Sequence, residues 1–430
     1  MCDDDMVRFV RHARRVRVLK NIQPKRAKAC ARMRYSLQGV LPTIDEVCFG
    51  ILHTYFKERP ALPNLRRLTC DHDDIICAEH LGLFLSPALR ALKFRRTVTK
   101  YSIHDISDEL TKRGCTDALE VLQLDEASHP RSSELEKSGT GMEFLARLPR
   151  LRRLGIFFDL SEDYRTILQC LPPGSFPSLQ QLKVEGGRVR SWRCVSDGDT
   201  ALKTIADFLN YFAPTHPLRS LHVDMPVDLD NVVSQQAIRA LFEAVAAFED
   251  TLDILTIFLG SSLRDDEAPL TRSIFEPLMS CWVSGIVMDN MAFDIDLADL
   301  EAMRDTWPAL YCLGLGQQST LSSAHISAAS LPGFVSGARS LEKLGVQVYD
   351  SGERLGLEVA EKQANLRLRV LDAGYSLVHR DRIREVAAYL SCSFPSSTPT
   401  FCTENHFSYL WLTWHAAVKT EQLRWTPEIS

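Results

Sequence analysis

The amino-acid sequence predicts an α/β fold: a leucine-rich-repeat solenoid, a horseshoe with a concave parallel β-sheet and convex helices, of about 11–12 irregular repeats. Three observations predict it. A Leu-x-x-Leu-x-apolar motif, often preceded by Pro, or a degenerate copy of it, occurs eleven times between Leu65 and Leu368. From lead residue to lead residue the motifs are 24 to 39 residues apart. Between the motifs, the apolar period changes from two to three and four, the helical period.

The motifs run in order along the chain. PNLRRLTC supplies Leu65, Leu68 and Cys70; PALRALKF supplies Leu89, Leu92 and Phe94. DALEVLQL (Leu119, Leu122, Leu124), PRLRRLGI (Leu151, Leu154, Ile156) and PSLQQLKV (Leu179, Leu182, Val184) follow. HPLRSLHV (Leu218, Leu221, Val223) and TLDILTI (Leu252, Leu255, Ile257) lead to a degenerate copy, WVSGIVM, with Val283, Ile286 and Met288. PALYCLGL (Leu310, Leu313, Leu315), RSLEKLGV (Leu341, Leu344, Val346) and LRVLDA (Leu368, Leu371, Ala373) complete the series. Strand side chains alternate, so the second and third apolar residues point to one side, while the lead residue turns inward just before the strand. One such strand cannot bury its apolar face alone, and stacking the units buries it.

Helices are expected at 200–212, 234–248, 296–307 and 380–390, with Ser234 and Asp296 as N-caps. ARRVRVL (13–19) reads as the first strand motif. The stretch LPTIDEVCFGIL (41–52) has the look of an F-box start, yet Val47, Ile51 and Tyr55 fall at four-residue steps behind Thr43, and it is read as the convex helix of the first repeat. The expected organisation is a basic cap with the first repeat (1–60), the repeat array (61–390) and a divergent cap or tail (391–430). After AAYLSCSFP (387–395) no further strand motif is evident. The longest interval, 39 residues, holds GGRVRSWRCVSDGDT and is expected to carry an exposed loop. A doubly wound sheet is the rival, disfavoured because GxGxxG is absent and because each strand has a single apolar stripe.

Hydrophobic residues make up 45% and charged ones 24% of the 430-residue chain, which excludes extensive disorder. The net charge of −5 argues against a wholly basic nucleic-acid binder. Basic residues are nonetheless concentrated between Arg8 and Arg34, which reads either as a solvated face or as a nuclear-import or phosphate-binding patch. The 12 cysteines form no CxxC pair, no signal peptide opens the chain, and no apolar run approaches a membrane span. Reduced thiols in the cytoplasm or nucleus are expected, without a membrane association.

No catalytic constellation stands out: GxSxG, HExxH, a Walker loop and a kinase set are absent. The segment from Cys70 to His80 gathers Cys, Asp and His, but in no zinc spacing, and SGTGMEF (138–144) lacks the ending of a phosphate loop. No enzyme activity, cofactor or metal is expected. What remains is the concave face, where the residues flanking the second and third apolar positions point outward. Arginines and aromatics are enriched at binding hot spots. Arg67, Lys93, Arg95, Arg153, Phe157, Lys183, His222 and Phe258 are the candidate partner-binding residues. In the C-terminal half many positions on this face are small, among them Gly285, Gly314, Gly316, Gly345 and Gly374.

The chain resembles the leucine-rich-repeat region of fungal F-box proteins, through RFVRHARRVRVL (8–19), PNLRRL (63–68) and the recurring Pro-x-Leu-x-x-Leu units. The resemblance covers roughly residues 7–390. It implies the substrate-recognition part of a Skp–cullin–F-box ubiquitin ligase, binding a protein partner on the concave face. No F-box is evident, since the repeats begin almost at the first residue; a Skp adaptor or cullin partner is expected only of a longer product. The alternatives are a repeat scaffold with no ligase role, and nucleic-acid binding through the basic N-terminal segment.

Overall fold

The computed structural model describes residues 3–19, 54–56, 59–70, 81–94, 103–124, 142–158, 171, 174–186, 198–212, 216–225, 233–259, 269–289, 291–316, 325–356, 365–374, 376, 378 and 380–400. The chain divides into two compact units: Met1–Gly187 with Asn210–Leu218, and Arg188–Leu209 with Arg219–Ser430.

In the first unit, six strands lie side by side in chain order, each pair parallel: β1 (Val18–Leu19), β2 (Arg67–Cys70), β3 (Ala91–Phe94), β4 (Val121–Leu124), β5 (Arg153–Phe158) and β6 (Gln181–Gly186). Their register is the one the motif demands. Leu19, Leu68, Leu92, Leu122, Leu154 and Leu182 face one another across the sheet. From Leu68 onward these side chains are buried, as are Phe94, Leu124, Ile156 and Val184 one step along and the lead residues Leu65, Leu89, Leu119, Leu151 and Leu179. Helix α1 (Asp3–Ala13) precedes β1, and α2 (Ile103–Lys112) crosses between β3 and β4, burying Ile106 and Leu110. A short helix at 142–146 buries Met142 and Leu145 before β5.

Parallel neighbours need a crossover, so each repeat must return its chain to the same edge. Side chains just ahead of the lead leucine fasten that return to the previous repeat. Asn64 Nδ2 donates to the Arg14 carbonyl at 2.8 Å, and Ser178 Oγ donates to the Pro149 carbonyl at 2.6 Å. At the end of this unit Phe176, a buried residue with φ of 57°, is held in the left-handed region by its surroundings. Its N–H donates to the Ala146 carbonyl at 2.7 Å, its carbonyl accepts from His216 Nε2 at 2.6 Å, and its ring stacks on Phe212.

The second unit continues the strand series with β7 (Ser220–Met225), β8 (Ile254–Leu259), β9 (Leu270–Thr271), β10 (Gly285–Asp289), β11 (Phe293–Asp294), β12 (Cys312–Leu315), β13 (Lys343–Val346), β14 (Val370–Asp372) and β15 (Thr398–Thr400). β9 and β11 form a separate parallel pair, and the other seven stand parallel in chain order. Again the second motif residues face one another: Leu221, Leu255, Ile286, Leu313, Leu344 and Leu371. The degenerate copy WVSGIVM is therefore a true repeat strand, with Ile286 in the leucine position. Of the seven described strands of this ladder, β15 alone has no leucine motif. β15 pairs with β14 through Pro399 opposite Leu371.

Helices α3 (Gly198–Asn210), α4 (Gln235–Ala246), α5 (Leu297–Thr306), α6 (Leu331–Gly337) and α7 (Ile383–Ser393) belong to the second unit, save for Asn210. Ser234 caps α4 by accepting from the Ala237 N–H, and Asp296 and Asp299 form a capping box on α5. Asp199 of α3 accepts from both the N–H and the hydroxyl of Ser234 at 2.6 Å, tying the two helix starts together. Between β8 and β10 the crossover is a 3₁₀ helix, Arg272–Ser280, with Pro277 inside it. Its Phe275 lies between Phe242 of α4 and Phe293 of β11, with ring centroids 5.8 and 5.6 Å away. Arg382, just before α7, binds Asp350 at 2.6 Å and Glu385 at 3.1 Å.

The chain is thus an α/β leucine-rich-repeat solenoid in which the strands from β2 to β14 of the repeat ladder bury the face that carries the motif leucines. Most of the helix expected from LPTIDEVCFGIL lies outside the described residues; Thr54–Tyr55 alone are seen, in helical conformation.

Candidate partner-binding face

Residues between the buried positions project from the opposite face of the strands. In the first unit, one outward rung is Val18, Arg67, Ala91, Val121, Arg153 and Gln181. The next is Thr69, Lys93, Gln123, Gly155 and Lys183. Arg67 and Arg153 are exposed, and Lys93 and Lys183 half-buried. These four cations share two neighbouring rungs on strands about 4.8 Å apart. Phe157 opens a third rung, opposite Glu185 on the next strand. The Phe157 side chain and all of Arg95 lie outside the described residues. Gly155 has a local reason: a Cβ there would stand 3.0 Å from Gln123 Cγ, so its lack of a side chain lets Gln123 lie across the face.

In the second unit the rungs are Ser220, Ile254, Gly285, Cys312, Lys343 and Val370, then His222, Thr256, Val287, Gly314, Gly345 and Asp372. Asp224, Phe258 and Asp289 begin the third. Two candidates meet here. The His222 and Phe258 rings touch diagonally, with centroids 5.5 Å apart and planes tilted by 53°. Both are half-buried, giving a small aromatic step among small residues. At Gly285 the Tyr311 ring approaches to 3.4 Å of where a Cβ would stand, and burial pushes the Tyr311 phenol up from its ordinary value.

Two glycines expected on this face do other work. Gly316 and Gly374 have φ of 63° and 50°, beyond the strand ends. A Cβ on Gly316 would stand 2.6 Å from the Met291 carbonyl oxygen, so glycine there answers to a turn against its neighbour's backbone.

A further row, not among the candidates expected from the sequence, borders this face. One residue upstream of the first outward rung, the N–H of Arg66 bonds the Arg17 carbonyl, and Arg90, Glu120, Arg152 and Gln180 continue the chain of bonds at 2.8–2.9 Å. This places Arg17, Arg66, Arg90 and Arg152 in one row along the edge where the strands begin. The signal was visible as the paired x positions inside LRRL, LRAL and LRRL. In the second unit the same row reads Arg219, Asp253, Ser284, Tyr311, Glu342 and Arg369.

Little else offers chemistry. Among the described residues no three His, Cys, Asp or Glu side chains are placed to hold a metal ion, and the 71–80 segment is outside them. Cys115 is buried with its thiol donating to the Ser86 carbonyl at 3.2 Å, and burial pushes its pKa up to about 12. Burial likewise raises Cys281 to about 11 and Cys312 above its usual value. None of the three is a thiolate at neutral pH. A cavity of about 390 Å³ lies at the ends of α5 and α6, lined by Arg304, Trp307, Phe334 and Arg339 among others, away from the strand face. Among the described residues, no helix is long and apolar enough to cross a membrane.

No family model and no curated protein matches the chain. Among solved structures it is similar to the mouse RP105/MD-1 complex, at 10% identity and a TM-score of 0.31. That likeness covers 80% of this chain and 60% of the other, so the chain spans about 60% of the length of the protein it matches.

Proposed function

We propose that this chain is a protein-interaction scaffold that holds a protein partner against the strand face of its repeats, without catalysis of its own. One observation carries the reading. Strand after strand buries its leucine positions and leaves the alternate positions partly solvated, as in β7 and β8, where half-buried and buried residues alternate from Ser220 to Met225 and from Ile254 to Leu259. Repeat stacking supplies such an extended face, and solenoids use it for binding. On this reading Arg67, Lys93, Arg95, Arg153, Phe157, Lys183, His222 and Phe258 are contact residues, with the touching pair His222 and Phe258 as the aromatic anchor.

The finer proposal is that the scaffold is the substrate-recognition part of a Skp–cullin–F-box ubiquitin ligase, in the cytoplasm or nucleus. Its support is the Pro-x-Leu-x-x-Leu resemblance, now seen to mark true repeat strands.

The test is affinity capture with the wild-type chain, a face variant (Arg153→Glu with Phe258→Glu) and a helix-side control (Arg239→Glu). A protein retained by wild type and control and lost by the face variant is the expected result. Equal retention by all three overturns the face assignment. Blotting the same eluates for a Skp adaptor decides the ligase proposal, which fails if a partner is held and no adaptor accompanies it.

A further inference from the structure

We propose that the strand-entry edge of the first unit docks an extended acidic segment of the protein partner; this rests on the scaffold reading above and specifies the partner's chemistry. Two adjacent rungs carry six exposed arginines: Arg17, Arg66, Arg90 and Arg152 on the edge row, Arg67 and Arg153 beside it. Among the described residues of these rungs the one carboxylate is Glu120, 3.5 Å from Arg90. In the second unit the same edge row balances Arg219 and Arg369 with Asp253 and Glu342, and Arg369 is paired with Glu342 at 3.6 Å. The charge is therefore specific to the first unit, although the chain as a whole is acidic at −5.

Like charges on neighbouring strands repel, and an anion laid along the row relieves that repulsion while offering carboxylates to forked guanidinium donors. Six strands at about 4.8 Å make a row of about 24 Å, the span of about seven residues of extended chain. Single-stranded nucleic acid is read through aromatic stacking platforms. These two rungs contain no aromatic residue, being Arg17, Arg66, Arg90, Glu120, Arg152 and Gln180, then Val18, Arg67, Ala91, Val121, Arg153 and Gln181. The row suits carboxylates better than bases.

The test titrates the full chain into a fluorescein-labelled oligo-glutamate peptide and follows anisotropy, with an oligo-glutamine peptide and an oligothymidine as comparisons. Oligo-glutamate should bind, weaken as salt rises, and weaken about tenfold in Arg17→Gln/Arg66→Gln/Arg152→Gln, while Arg369→Gln leaves it unchanged. If circular dichroism shows that the triple variant has not folded, Arg152→Gln alone is used, with a loss of about twofold expected. Oligo-glutamate binding that survives the arginine changes overturns the proposal, as does oligothymidine binding more tightly through the same arginines. Absence of oligo-glutamate binding beside face-dependent partner capture sinks this inference and leaves the scaffold standing; loss of both sinks the scaffold.

Discussion

Truncating Leu313 to alanine puts the leucine ladder under direct strain. Leu313 is the second leucine of PALYCLGL, 1% exposed, and stands in β12 between Ile286 of β10 and Leu344 of β13. Losing three carbons from such a site forfeits about 2.4 kcal/mol of transfer free energy at roughly 0.8 kcal/mol per methylene. Flanking strands fixed by backbone bonds on both sides cannot close the space, so a cavity term adds to this and the expected total is about 3–4 kcal/mol. Lys343, on the exposed rung of β13, is the internal control, and Lys343→Ala should cost under about 0.5 kcal/mol. Urea unfolding followed by circular dichroism reads both, provided the slope with urea is unchanged by the mutation. A cost below about 1 kcal/mol for Leu313→Ala, or an equal cost for Lys343→Ala, would refute the assignment of buried and open faces.

Gly316→Ala should destabilise by about 2 kcal/mol or more, because φ is 63° and the new Cβ would meet the Met291 carbonyl at 2.6 Å. Gly333→Ala in α6, where nothing lies within 4 Å, should be neutral or stabilising, and the two variants are compared in one set of urea melts. Burial lowers the His216 pKa, opposed by its bond to the Phe176 carbonyl. The unfolded chain, with an ordinary imidazole near pH 6.5, therefore takes up a proton first, and stability contributed by neutral His216 falls as pH drops through 6.5 toward the lower folded value. The unfolding midpoint should decline over that window less steeply in His216→Gln than in wild type; parallel declines would contradict the prediction. Peptide-resolved alkylation at pH 7.5 should leave Cys115 and Cys281 unmodified in the native chain and label both in urea, and native labelling would contradict their burial.

The strand frame was legible because its cause is local and repeated. Each Leu-x-x-Leu-x-apolar unit fixes which residues turn inward, and every second motif residue from Leu68 to Leu182 and from Leu221 to Leu371 stands in register. Caps at Ser234 and Asp296 were legible for the same reason, since a polar side chain ahead of an apolar period has one use. β15 was not, because Pro399 holds the leucine place and its pairing comes from the neighbouring strand, β14. The pair β9 and β11 and the 3₁₀ crossover were equally hidden: two-residue strands have no period to detect. On the face, the alternation placed Arg67, Lys93, Arg153, Lys183, His222 and Phe258 on outward rungs. It could not show that His222 and Phe258 touch, nor that Gly316 answers to a backbone clash. The edge row of arginines escaped because Leu-x-x-Leu holds two non-leucine positions, and only the first of the pair belongs to that row.

Site-specific photo-crosslinking tests the scaffold claim most directly. A photoreactive amino acid is placed singly at Lys93, Lys183 or Thr256 on the strand face, or at Arg239 on α4, and the chain is irradiated in the presence of its captured partner. Adducts are expected from the three strand-face positions and none from position 239. Adducts confined to position 239, with the strand face silent, would contradict it.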